Sequence, residues 1–102
     1  MRELAFHPEA LAEFKGEVAY YEELEPGLGG AFADDVLRVV ELARLFPGMG
    51  APETGAVRSL VTKRFPFLIY YEVVNDCLWI WAVMHAAREP GYWKSRQPGL
   101  AD

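Results

Sequence analysis

FPFLIYYEVVNDCLWIWAVMH, residues 65–85, is the stretch that decides the fold. Its two halves, 65–74 and 78–85, are rich in aromatic and β-branched side chains, which suit a pleated surface. Both halves carry apolar residues on both faces, the mark of a central strand. Between them Asn75-Asp76 is a two-residue turn signal, although it lacks the glycine of the strongest hairpin pair. The stretch therefore predicts a central antiparallel hairpin. Just before it, residues 57–62 read as another short strand, with Lys63-Arg64 in the bend.

Further upstream, residues 47–56 contain Pro47, Gly48, Gly50, Pro52 and Gly55 and read as loop throughout. Residues 28–46 place Phe32, Val36, Val39, Ala43 and Phe46 at alternating spacings of four and three, with Leu28 a further four before them, one apolar stripe on a helix. Residues 8–24 repeat the pattern with Leu11, Phe14, Val18 and Tyr21, leaving Glu13, Glu17, Glu22 and Glu23 off the stripe. Pro26-Gly27 breaks the chain between them, so the two form an antiparallel helical hairpin. Pro8 suits the first turn of a helix, because its missing N–H has no helical partner there. Residues 2–7 alternate as a short strand. After residue 85, Arg88 to Arg96 forms a distinct tail, and residues 97–102 are expected to fray. The predicted order is β-αα-β-β-β: an α+β domain, residues 1–102, with the N-terminal helical hairpin on one face of a small, mainly antiparallel sheet.

The chain has 102 residues, enough for one domain, and 52% of them are hydrophobic, enough for one core. A single cysteine, Cys77, excludes an intrachain disulfide framework and a Cys-based zinc cluster, and fits a reducing, cytoplasmic setting. No apolar run approaches the ~20 residues of a membrane helix. A net charge of −5 excludes a generic nucleic-acid binder. The charge is uneven. Residues 1–57 carry 4 Lys/Arg against 11 Asp/Glu, and residues 58–102 carry 6 against 4, which suggests two surfaces with different partners.

The chemistry-bearing side chains gather late in the sequence: Arg58, Lys63, Arg64, Glu72, His85, Arg88 and Tyr92. If the strand ends meet, they line one groove able to cleave RNA without metal. His85 or Glu72 would take the 2′-OH proton, Arg58 and Arg88 would hold phosphate, and Tyr92 would stack on a base or assist proton transfer. The simpler reading is that the arginines pair with Glu72 or Glu89 and that His85 caps a packed sheet. Trp79 and Trp81, two apart, share a face that suits a stacking platform, a core, or cover by a partner's helix. Gly27 to Gly30 opens a helix but lacks the lysine and preceding strand of a phosphate loop. His7 reads as a strand-end residue, Cys77 has no pattern of a nucleophile, and no residues have metal-ligand spacing. No cofactor is expected.

The order and several strings resemble the RelE/ParE toxin superfamily, particularly its ParE-like, plasmid-stabilisation branch. The strings are Phe6-His7-Pro8-Glu9-Ala10, Tyr20-Tyr21-Glu22 with Pro26-Gly27-Leu28-Gly29, Pro47, Arg58, Arg64 through Tyr71, and His85, Arg88 and Pro90-Gly91-Tyr92-Trp93. They span nearly the whole chain. The resemblance implies the toxin of a type II toxin–antitoxin pair, cytoplasmic and neutralised by a cognate antitoxin protein, with no direct DNA binding expected without that antitoxin. ParE-like members poison DNA gyrase, whereas RelE-like members cleave mRNA on the translating ribosome. The first expectation is a growth inhibitor that grips a target such as gyrase through Lys63, Arg64, Arg88, Tyr92, Trp93 and Arg96. Removing residues 88–102 is then expected to leave the core folded. The alternative is a metal-independent mRNA endoribonuclease using Arg58, His85, Arg88 and Tyr92, and a third reading is a weakly toxic antitoxin-binding domain. In every case Trp79 and Trp81 are expected to meet the antitoxin.

Overall fold

The computed structural model describes residues 2–89 and 91–96. Five strands and two helices follow in the order β1 (Glu3–Phe6), α1 (Pro8–Leu24), α2 (Leu28–Leu45), β2 (Ala51–Pro52), β3 (Arg58–Val61), β4 (Phe67–Val74) and β5 (Cys77–His85). Short 3-10 turns occupy Pro47–Met49 and Lys94–Arg96. The sheet order is β1-β5-β4-β3-β2. β1 lies parallel to β5, and every other pairing is antiparallel. The molecule is an α+β domain with its helical hairpin on one sheet face, as the sequence predicts. Pro90 and residues 97–102, including the segment expected to fray, lie outside the described residues.

The hairpin turn holds both Asn75 (φ 50°) and Asp76 (φ 60°) in the left-handed region, the conformation that a tight two-residue connection requires and that Asn and Asp tolerate best. β4 and β5 are central, which accounts for their apolar residues on both faces. Phe67, Ile69 and Tyr71 of β4, with Leu78, Ile80 and Val83 of β5, face the helices, where Phe32, Val36, Val39 and Ala43 of α2 meet them. Phe32 is fully buried, and ring centroids of Tyr21, Phe65 and Phe67 lie 5.2, 5.4 and 4.9 Å from its own. Burial of such rings supplies much of the hydrophobic stabilisation.

The register shifts between Tyr70 and Tyr71: Tyr70 pairs with Ala82 and Tyr71 with Ile80, so Trp81 is the extra residue of a bulge in β5. The bulge places Trp79, Trp81, Ala82 and Met84 on the face away from the helices. There they form a second core with Val57, Tyr70 and Trp93, and Trp93 is only 1% exposed. The tail is therefore part of the fold, contrary to the expectation that it is separable.

Three more differences from the sequence reading have plain causes. Ala51–Pro52 is a two-residue edge strand inside the stretch expected to be loop throughout; Pro52 is tolerated because an edge strand has an outer side that needs no donor. Phe46 ends α2 with φ −134° and stands exposed, so it drops out of the predicted stripe. His7 does more than end a strand: its Nδ1 accepts the Glu9 N–H at 3.1 Å and caps α1, with Pro8 at the first helical position.

Candidate functional site

Lys63 and Arg64 occupy the turn between β3 and β4, and Asp35 of α2 shapes that turn. Its carboxylate accepts the backbone N–H groups of Lys63, Arg64 and Phe65 at 3.0, 2.7 and 3.0 Å, and a 3.2 Å bond from Arg38 Nη2. Burial pushes the Asp35 pKa up, but the three N–H donors and Arg38 outweigh it and hold the carboxyl below the ordinary aspartate value. Thr62 completes the turn by donating its hydroxyl to the Phe65 carbonyl. With the backbone engaged in this way, the Lys63 and Arg64 side chains project into solvent.

The end of β5 is held beside the same turn, because the Ala86 N–H donates to the Pro66 carbonyl at 2.7 Å. His85 is exposed and pairs in register with Phe67, whose ring is 5.2 Å from its own. Its Nδ1 accepts the Ala87 N–H at 3.0 Å. The Arg88 N–H caps the His85 carbonyl, and the Arg88 guanidinium lies 4.0 Å from the Tyr92 ring centroid. Lys63, Arg64, His85 and Arg88 thus share one exposed end of the sheet.

Arg58 is elsewhere. It stands opposite Tyr71, whereas His85 stands opposite Phe67. Four strand residues separate the two levels, about 13 Å at ~3.3 Å per residue, and β4 runs between them. Arg58 Nη1 donates to the Gly50 carbonyl at 2.8 Å, in a cluster where the Tyr71 hydroxyl donates to Pro47 O and accepts from Gly50 N. The expected single groove of Arg58, His85, Arg88 and Tyr92 is not formed. Arg58 is thus tied to a backbone carbonyl, and Glu72 accepts from Trp81 Nε1 at 3.0 Å.

Tyr92 and Arg96 turn inward to Glu13. The Tyr92 hydroxyl donates to Glu13 Oε2, and Arg96 donates from Nη1 and Nη2 to the two carboxylate oxygens at 3.0 and 2.8 Å. Glu13 Oε1 also accepts the Val83 N–H, and Arg96 Nη1 donates to the Trp81 carbonyl. β1 pairs with β5 only as far as Ile80, so these two side chains take over the outer edge of β5 beyond that point. Burial pushes the Glu13 pKa up, but its bonds from Arg96, Tyr92 and Val83 win and hold the carboxyl low. Burial, and then the bond to Glu13, push the Tyr92 phenol far above its ordinary value, so it is neutral at physiological pH.

Of the residues expected to face a target, Lys63, Arg64 and Arg88 are exposed, Tyr92 and Arg96 are half-engaged with Glu13, and Trp93 is inside the second core. Trp79 and Trp81 do share a face, with ring centroids 5.4 Å apart, but Trp81 is 4% exposed and belongs to the core that includes Trp93. The sequence reading placed Glu13 off the apolar stripe and passed over Asp35. The signal for Asp35 was its place three residues after Phe32, on the buried side of α2. Gly27 to Gly30 is the tight connection it resembles: Glu22 fills the donor cluster by accepting from Gly27 N and Gly29 N. Among the described residues, no three His, Cys, Asp or Glu side chains come together as metal ligands. No helix among them is long and apolar enough to cross a membrane.

A helical hairpin on a five-stranded sheet, with a basic rim at one sheet end, defines a small α+β domain. The family model described as the ParE toxin of the type II toxin–antitoxin system, parDE, matches residues 4–90, and the chain belongs to this family. A solved structure described as the chromosomal ParDE TA system from P. aeruginosa superposes with a TM-score of 0.71 at 22% identity, covering 83% of this chain and 96% of that one. That likeness concerns the fold. A search of curated proteins found no match.

Proposed function

We propose that this ParE-family domain acts in the cytoplasm as a growth-inhibiting toxin. It grips a target enzyme such as DNA gyrase and is neutralised by a cognate antitoxin. Family membership supports the toxin reading. The observation that favours gripping over RNA cleavage is the separation of Arg58 from His85, with Arg58 spent on the Gly50 carbonyl and the Tyr92 hydroxyl spent on Glu13. The grip is assigned to the exposed rim of Lys63, Arg64 and Arg88, with His85 among them. Arginines at such a surface supply planar, multidentate contacts. Trp93 and Arg96 support this rim from within.

The test is induction in growing bacteria, with amino-acid and thymidine incorporation followed over the first minutes. DNA synthesis stopping first, with translation continuing, is the expected result. Reversing the rim charges together, Lys63→Glu, Arg64→Glu and Arg88→Glu, is expected to abolish that arrest while leaving Tm within a few degrees, because exposed charges contribute little to stability. If protein synthesis stops first, the endoribonuclease reading replaces this one. His85→Ala would then lower cleavage by about a hundredfold or more.

A further inference from the structure

On the face of the sheet away from the helices, a pocket of about 140 Å³ opens between the β2–β3 connection and the tail. Glu53, Thr54, Tyr70, Gly91, Trp93 and Lys94 line it. Its lining carries charges of both signs. Lys94 brings an ammonium, and Thr54 and Tyr70 bring hydroxyls. Trp93 is buried, and its Nε1–H has no partner among the described residues. Glu53 adds a carboxylate, one of whose oxygens accepts the Ser59 hydroxyl at 2.6 Å. Glu53 and Lys94 line the same cavity. The Tyr70 and Trp93 rings, centroids 5.0 Å apart, form an apolar flank. Gly91 adopts φ +86°, and a Cβ there would meet the Lys94 side chain at 3.4 Å, so the glycine leaves that arm its room.

The Lys94 ammonium disfavours a simple cation, and the Glu53 carboxylate disfavours a simple anion. The volume corresponds to about five waters at ~30 Å³ each, hence a ligand fragment of about that many heavy atoms. We propose that this pocket binds a carboxylate whose α-carbon carries an N–H donor, with Lys94 taking the carboxylate, Glu53 taking the N–H, and the Thr54 and Tyr70 hydroxyls completing the polar lining. Two sources share that chemistry: a small free α-amino acid and the C-terminal residue of a polypeptide. Neither requires gyrase or RNA as the target, so the pocket stands apart from the toxin reading.

The test is a ¹H–¹⁵N titration of the full chain, reading the Trp93 indole resonance assigned with Trp93→Phe. The probes are glycine, N-acetylglycine and glycinamide, with sodium chloride matching ionic strength. A saturable shift with glycine or N-acetylglycine at roughly millimolar Kd, absent with glycinamide and weakened about tenfold or more in Lys94→Met, is the expected result. Response to glycine alone identifies the free amino acid as the source, and response to N-acetylglycine identifies a polypeptide end. No saturable shift with either carboxylate, an equal shift with glycinamide, or an unchanged Kd in Lys94→Met each overturns the proposal.

Discussion

A single carboxylate on α2, that of Asp35, accepts three consecutive backbone N–H groups across the gap to the β3–β4 turn. Alanine there would strand three donors, that of Phe65 buried and those of Lys63 and Arg64 half-buried, and an unsatisfied buried donor costs ~1–3 kcal/mol. Asp35→Ala is therefore expected to lower stability by about 3 kcal/mol or more, measured by urea denaturation. Asparagine, which keeps one acceptor oxygen, should cost less. The same residue sets an acid limit. Its pKa is lower in the folded chain than in the unfolded one, so its contribution is fully present above the ordinary aspartate value of 3.8 and is lost as the pH falls through the lower folded value. The wild-type chain should lose stability over that window, and Asp35→Ala should lose less of it. An identical acid slope in the two would show that Asp35 is not the group responsible.

At the scale of elements, the helical hairpin depends on one glycine and not on its neighbour. A Cβ on Gly29 would stand 2.5 Å from the Val18 carbonyl oxygen and 2.9 Å from Glu22 Cβ, whereas a Cβ on Gly30 meets nothing within 4 Å. Gly29→Ala must push α1 and α2 apart, at an overpacking cost of ~1–3 kcal/mol. Gly30→Ala removes backbone entropy from the unfolded chain at no steric cost and should stabilise by ~0.4–1 kcal/mol. Thermal unfolding of the pair should therefore move in opposite directions. Both helices and the three main C-terminal strands were legible because their signals are local: the four-and-three spacing of Phe32, Val36, Val39 and Ala43, the breaks at Pro26-Gly27 and Pro47-Gly48, and the Asn75-Asp76 turn. β2 was not legible, because a two-residue edge strand rich in loop residues exists only through its partner β3. The β5 bulge was equally hidden, since nothing in Trp79-Ile80-Trp81-Ala82 announces which residue goes unpaired.

The candidate site belongs to the scale of the whole molecule, and that is why it was only partly readable. Arg58, His85, Arg88 and Tyr92 stand out in the sequence by residue type, but whether they meet depends on strand register. Register set Arg58 opposite Tyr71 and His85 opposite Phe67. The tail likewise became part of the core because it reaches back over the sheet, a contact no local pattern records. Ending the chain after Glu89 removes Trp93 and Arg96. It should expose Tyr70, Trp81 and Met84, raise dye binding to exposed apolar surface, and cost several kcal/mol, in line with ~3–5 for loss of one buried tryptophan. Full stability of that truncated chain would mean the second core contributes little. Loss of growth inhibition by truncation thus says nothing about a contact role for the tail, and the rim charge reversals are the cleaner probe.

β1 is an edge strand whose partner in the sheet is β5, so the first strand made must wait for the last. Phe6 and Ile80 pair across about seventy residues, and closing so long a loop is paid in chain entropy before any contact rewards it. The helical hairpin, all short-range, can form early, while the sheet cannot be completed until β5 and Arg96 have emerged. A chain interrupted anywhere before that point has neither a finished sheet nor an organised basic rim. On the toxin function proposed above, the topology itself keeps a nascent fragment from acting, and the order of synthesis becomes a safeguard for the cell that makes it.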